Sequence, residues 1–185
     1  MKLFYRLLLA LAVLAACIPL FVYSGVYNVA ADAPHTAPLR WLLHQTYEHS
    51  VARRAADIVP PADLDAPSRL PVGAAHYQEM CVGCHLAPGL SNTELRQGLN
   101  PAPPDLVAAA TTQDPRQLFW VIKHGVKMTA MPAWGRTHDD DKLWDIVALL
   151  QRLPALSAAE YHRLVDRGAA RDDDDDDPHA HAGAD

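Results

Sequence analysis

Three cysteines in 185 residues rule out a disulfide scaffold, and their placement narrows matters further. Cys81 and Cys84 sit three positions apart, and Cys17 stands alone inside an apolar run. With the pair committed to one motif, Cys17 has no disulfide partner and reads as a small apolar residue. No second Cys pair and no H-x-x-x-H follows, so a tetrahedral zinc site lacks half its ligands. No alternation of strand and helix patterns surrounds the pair, which argues against a thioredoxin-like redox motif. No serine, cysteine or carboxylate constellation for hydrolysis stands out either. Positive charge is scarce as well. The chain carries a net charge of −6, and Arg171 to Asp185, with one Arg and seven Asp, accounts for all of it. The remainder is neutral, so the acidity belongs to a tail and no nucleic-acid partner is expected.

What is present is a run of five residues, Cys81-Val82-Gly83-Cys84-His85. This C-x-x-C-H spacing is that of haem c attachment. Two thiols on one tight turn can each add across a haem vinyl group, and the adjacent imidazole reaches the iron from the same side. One covalent haem c is expected, with Cys81 and Cys84 as the thioether residues and His85 as the proximal iron ligand.

The N-terminal region carries a different signal. From Leu7 to Ala31 there is no charged side chain, and Lys2 and Arg6 precede the stretch. Its densest part, Leu7 to Tyr23, approaches the length needed to cross a bilayer as a helix. With both cations on the N-terminal side, the positive-inside bias puts the N-terminus in the cytoplasm and the rest outside. Two alternatives stay open. One is a cleaved signal peptide with a small-residue site near Val29 to Ala33. The other is a lipobox, Leu14-Ala15-Ala16-Cys17, although Ile18 to Val22 remain apolar where a lipoprotein linker turns polar.

Residues 32–70 read as a juxtamembrane segment. Leu39, Leu42, Leu43, Thr46, Val51, Ala55 and Ile58 recur at helical spacing, so amphipathic turns are expected on the membrane surface or against the next domain. His35, His44 and His49 read as solvated histidines, and Pro60, Pro61, Pro67 and Pro71 punctuate a linker. A haem domain is expected over 71–168. Its first helix is predicted over Val72 to Cys81, with Ala74, Tyr77, Met80 and Cys81 on one face and Met80 as core filler. From His85 to Asp114 the chain is rich in Gly and Pro, a length of irregular chain that needs something to pack around. Asp114 and Pro115 open a helix bearing Leu118, Phe119, Val121 and Ile122, closed by Gly125. A capping box from Thr137 to Asp140 is expected to start a helix carrying Leu143, Ile146, Val147, Leu150 and Leu153, stopped by Pro154. Ser157 and Glu160 form a second capping box before a short helix ending near Gly168. Residues 169–185, with His179 and His181, read as a disordered acidic tail.

A sixth iron ligand is sought on the loop Gly125 to Gly135. Pro132 drives Met131 toward extended geometry, so its thioether projects from the loop, and Trp134 follows to close the pocket. Met131 is the expected distal ligand, Met128 the runner-up and His124 a weaker third. Two strong-field ligands leave no open position on iron. Methionine sulfur, a soft neutral donor, stabilises the reduced metal. An electron carrier is expected rather than an enzyme. The alternatives are a peroxidase-like haem enzyme or a redox or metal sensor, should the methionine be displaced. His85 is expected to donate its Nδ1 hydrogen to a backbone carbonyl near Pro101 to Pro104. Arg96, Lys123 and Lys127 are candidates to pair with the haem propionates.

Cys81 to His85, the Gly125 to Gly135 loop with Met131-Pro132-Ala133-Trp134, and Leu143-Trp144-Asp145-Ile146-Val147 before Pro154 together resemble a class I monohaem cytochrome c of the bacterial membrane-anchored type. The resemblance implies an all-α fold, a small cytochrome c domain of three to five helices around one haem. It would follow a single transmembrane helix over 1–31. It implies crossing first and last helices and haem attachment on the periplasmic side of the inner membrane. Its partners would be a respiratory dehydrogenase as donor and an oxidase or other terminal acceptor. The family commonly has an aromatic near position 149 and a glycine near 130; here these are Leu149 and Ala130.

Overall fold

The computed structural model describes residues 1–109 and 113–175. Those residues contain helices and turns and no strand. The fold is all-α among the described residues, one apolar N-terminal helix followed in the chain by a set of packed helices. The chain divides into two compact units, Met1–Pro34 and His35–Asp185.

The first unit is essentially one helix, α1, Lys2–Ser24, ended by Gly25 in the left-handed conformation at φ 65°. Its 23 residues span about 34 Å at 1.5 Å per residue. No side chain along it is buried. It is the one helix among the described residues long and apolar enough to cross a membrane.

The second unit begins with α2, Ala37–Ala55, which buries Val51 and Ala55 near its end. Next is α3, Arg69–Met80, which starts earlier than the expected Val72. Pro71 falls on its third residue, where a missing N–H costs nothing because first-turn donors have no intrahelical partner. Short turns follow: α4, Val82–His85; α5, Glu94–Gln97; and α6, Leu106–Ala109. Then α7, Pro115–His124, opens as expected, with the Asp114 carboxylate accepting from the Arg116 N–H at 2.9 Å and Gly125 closing it. Val51 and Ala55 of α2 lie on the side of that helix that packs against α7.

The next helix, α8, is Asp140–Leu150. Its cap is Asp139, which accepts from the Lys142 N–H at 2.9 Å, and not the expected Thr137. The Thr137 hydroxyl is used by the preceding 3-10 turn, Trp134–Arg136, where it bonds the Trp134 carbonyl. The helix stops at Leu150 because Pro154 has no N–H to give that carbonyl; Leu153 is still fully buried, in a 3-10 turn over Leu153–Ala155. Finally α9, Ala158–Asp175, starts at the expected box, with the Ser157 N–H donating to Glu160 Oε2 at 2.9 Å. It runs past Gly168 to Asp175, and the rest of the acidic tail, with His179 and His181, lies outside the described residues.

The centre of the unit is α3, packed between α8 and α9. At the crossing with α8, Gly73 meets the Asp145 carbonyl so closely that any Cβ would collide with backbone. The crossing therefore requires glycine. All eight residues from Leu143 to Leu150 are buried, so α8 is covered on every side. Arg69, at the start of α3, ties the linker to α8: it donates to Asp145 at 2.5 Å, Asp63 at 2.9 Å and Asp141 at 3.3 Å.

Candidate functional site

The site grows from the end of α3. Cys81 caps that helix, and the chain tightens at once into α4: the N–H groups of Cys84 and His85 both donate to the Cys81 carbonyl, at 3.0 and 2.8 Å. One turn thus presents both thiols and the imidazole. Past His85 the chain must leave sharply, and Leu86 does so at φ 66°, a conformation that costs a non-glycine residue on the order of 1–3 kcal/mol. The buried Tyr77 hydroxyl holds this exit, donating to the Leu86 carbonyl at 2.7 Å. From the other side the Thr93 hydroxyl bonds the Gly83 carbonyl at 2.5 Å.

His85 Nδ1 lies 3.0 Å from the Pro104 carbonyl, inside the stretch expected to supply its partner. A carbonyl only accepts, so Nδ1 carries the hydrogen and Nε2 keeps its lone pair. Burial pushes the His85 pKa below the ordinary imidazole range, against the opposing pull of that hydrogen bond. The ring is neutral, the form that ligates metal. Cys81 is buried, and burial pushes its thiol pKa up to about 12. Cys81 is therefore held as the neutral thiol and is not itself a reactive thiolate.

Across the unit, the loop after α7 folds back on itself. Gly125 sits at φ 65°, and a Cβ there would lie 2.6 Å from the Pro132 carbonyl carbon and 2.7 Å from the Met131 oxygen. Glycine is what allows Met131 and Pro132 to return against Gly125, and the Val126 N–H then donates to the Met131 carbonyl at 3.2 Å. Met131 is half-buried and packs against the core, as does Trp134. Met128 is 99% exposed, at the loop's outer turn with φ 59°. His124 is also exposed.

The three propionate candidates separate. Lys123 is paired with Asp140 at 2.6 Å, with its ammonium 5.5 Å from the Phe119 ring centre. Lys127 is exposed. Arg96 is half-buried; one of its terminal nitrogens donates to the Pro103 carbonyl at 3.0 Å, and its Nε is buried without a hydrogen-bond partner. A buried donor left unpaired costs roughly 1–3 kcal/mol unless something fills the place. These residues fit haem c on two counts. The donor set is two thiols and a free imidazole nitrogen on one turn, and a buried guanidinium donor stands unpaired on the same side of the chain as the Pro103 and Pro104 carbonyls.

Sequence reasoning missed several supports. Tyr161 of α9 is fully buried, its ring packs edge-on against Tyr77 at 6.4 Å, and its hydroxyl meets Gln78 at 2.9 Å. An aromatic from α9 therefore packs on α3, in a chain whose position 149 is leucine. Tyr77 and Tyr161 are 84 positions apart, and no local pattern links them. His76, also missed, is buried with Nε2 unpaired, and its ring lies 6.0 Å from that of His138.

Comparison with known proteins adds one finding. Residues 68–150, fewer than half of the chain, match the family model described as cytochrome C oxidase, cbb3-type, subunit III. Neither the curated proteins nor the solved structures gave a match. The matched span begins just before α3, ends with α8, and encloses Cys81, Cys84, His85 and Met131. That match, the all-helical fold and the thiol–imidazole turn together support reading residues 68–150 as a haem c electron-transfer domain.

Proposed function

We propose that the chain is a membrane-tethered one-electron carrier that would hold a single haem c through thioether bonds to Cys81 and Cys84, with His85 and Met131 supplying the iron's protein ligands. The observation that carries this reading is the state of His85: its Nδ1 is committed to Pro104, and its neutral Nε2 is the one ring nitrogen left to bind iron. When bound, haem c supplies a one-electron iron couple. The chain's own groups set how that couple behaves. The Pro104 carbonyl fixes the imidazole's orientation and raises its basicity. Met131, a soft neutral donor turned to the core, favours the reduced metal, and apolar surroundings work in the same direction because the oxidised centre carries more charge. Ligands on both faces keep external molecules off the iron, so the role is electron transfer and not oxygen or peroxide chemistry.

The haem domain stands on the periplasmic side of a bacterial inner membrane, held by α1 as a single-pass anchor, with Lys2 and Arg6 on the cytoplasmic side. Electrons arrive from a respiratory dehydrogenase and leave to a terminal acceptor. The description of the matching family as a subunit of a cbb3-type oxidase supports an oxidase as that acceptor. The test is a pair of variants. Met131→Ala should keep covalent haem but lose the ferric sulfur-to-iron charge-transfer band and shift the potential downward, whereas Met128→Ala should change neither. The reverse pattern overturns the distal assignment.

A further inference from the structure

Helix α2 is used unevenly. Its later turns bury Val51 and Ala55, and Tyr47 is half-buried, but its first turns expose three large apolar side chains in succession. Trp41 is 64% exposed, Leu42 54% and Leu43 48%. Leu39, Leu42 and Leu43 are spaced i, i+3, i+4 and share a face. Val51 and Ala55 are buried near the end of α2, whereas on that face Leu39 is half-buried and Leu42 and Leu43 are exposed. A cluster of this kind on an otherwise polar helix marks an interaction surface.

What covers it follows from the chain itself. Ser24 ends α1 and Ala37 begins α2, so twelve residues separate a helix fit to cross a membrane from the exposed cluster. Fully extended, they reach about 40 Å. They hold one charged side chain, Asp32. A tether of that length cannot carry the first turns of α2 farther than about 40 Å from the end of α1, so the bilayer is the one surface always within its reach. Their chemistry suits that layer: leucines to enter the acyl boundary, with Arg40 and His44 on the flank of the same turns at headgroup depth.

Resting on the membrane-tethered reading above, we propose that the N-terminal half of α2 is a second lipid contact, with Leu39, Leu42 and Leu43 inserted at the headgroup–acyl boundary of the bilayer. The electron carrier is then held at the lipid surface at two points, and its partners are membrane-embedded complexes and not freely diffusing proteins.

The haem-loaded full-length chain, placed in nanodiscs of phosphatidylcholine and phosphatidylglycerol, tests this. In a Cys17→Ser background, a spin label is attached in turn at Leu42→Cys, Leu43→Cys, Glu48→Cys and Leu11→Cys. The haem cysteines are consumed by thioether bonds and do not compete. Labels at 42 and 43 should be severalfold more accessible to dissolved oxygen, relative to a water-soluble nickel chelate, than the label at 48. If 42 and 43 match 48, the face is in water and the proposal fails. If they are shielded from both reagents, a protein surface covers them and the proposal fails equally. The label at 11 separates this from failure of the anchor: an oxygen-accessible Leu11→Cys with chelate-accessible 42 and 43 sinks the second contact alone, whereas a chelate-accessible Leu11→Cys sinks the anchor.

Discussion

The turn bearing Cys81, Cys84 and His85 is held from three directions, whereas the loop bearing Met131 is held mostly by itself. On the first, the Tyr77 hydroxyl comes from α3, the Thr93 hydroxyl from the start of α5, and the Pro104 carbonyl from the irregular stretch beyond. On the second, Val126 bonds Met131, and Thr129 bonds both Val126 and Met131, all within six residues. Contacts from distant segments persist as long as the fold does, but contacts within a loop open with the loop. The imidazole side of the site is therefore prebuilt. The thioether side is where the iron's surroundings can change.

The strongest way to break that asymmetry is to strike the loop at its tightest point. Gly125→Val adds a branched side chain at φ 65°, where the first carbon already lies 2.6 Å from the Pro132 backbone. Backbone strain alone costs on the order of 1–3 kcal/mol, before the collision is counted. The expected outcome is covalent haem and an intact His85 ligand, with loss of the sulfur-to-iron charge-transfer band. Absorbance of the ferric protein and a denatured-haem assay on the same sample check both halves. Loss of covalent haem would mean that the two sides are not independent.

The same contrast runs through what could be read from the chain. The Asp114–Pro115 opening, the Gly125 close and the Ser157–Glu160 box are all local devices, each complete within a few residues, and each stands where expected. Met131 packs on the core whereas Met128 is exposed, and the place of Met131 beside Pro132 is a local signal of the same kind. Thr137 and Asp139 are both good caps, and the choice depends on the 3-10 turn at Trp134–Arg136 drawing the threonine away. Tyr161 on Tyr77, Gly73 on the Asp145 carbonyl and Thr93 on Gly83 join segments whose meeting has no local signature. The chemistry was written locally, and its supports were written in the packing.

A milder change addresses the prebuilt side. Tyr77→Phe removes the hydroxyl that bonds the Leu86 carbonyl while keeping the ring against Tyr161. The lost hydrogen bond is worth about 1 kcal/mol, and up to about 3 if the carbonyl stays buried and unpaired. Urea unfolding should show that drop in stability, with the charge-transfer band unchanged in the folded protein. A lost band would tie the Tyr77 contact to the Met131 side and erase the distinction drawn above.

The smallest effect should appear on acidification. The Arg116 side chain beside Asp114 holds that carboxyl below its ordinary range, helped by the Arg116 backbone N–H. A carboxyl whose pKa is lowered by folding stabilises the fold above its unfolded value, near 3.9, and that contribution is lost as pH falls through the lower folded value. Asp114 caps α7, the helix that leads into the Met131 loop, whereas among the described residues the hydrogen bonds to the Cys81–His85 turn come from hydroxyls and backbone groups. Titration below pH 4 should therefore weaken the charge-transfer band before the covalently held haem loses its imidazole. Asp114→Asn keeps a capping oxygen and removes the charge, so it should flatten the acid dependence of the band and leave its strength at pH 7 nearly unchanged. An acid profile identical in the variant and the parent would place the weak point elsewhere in the loop.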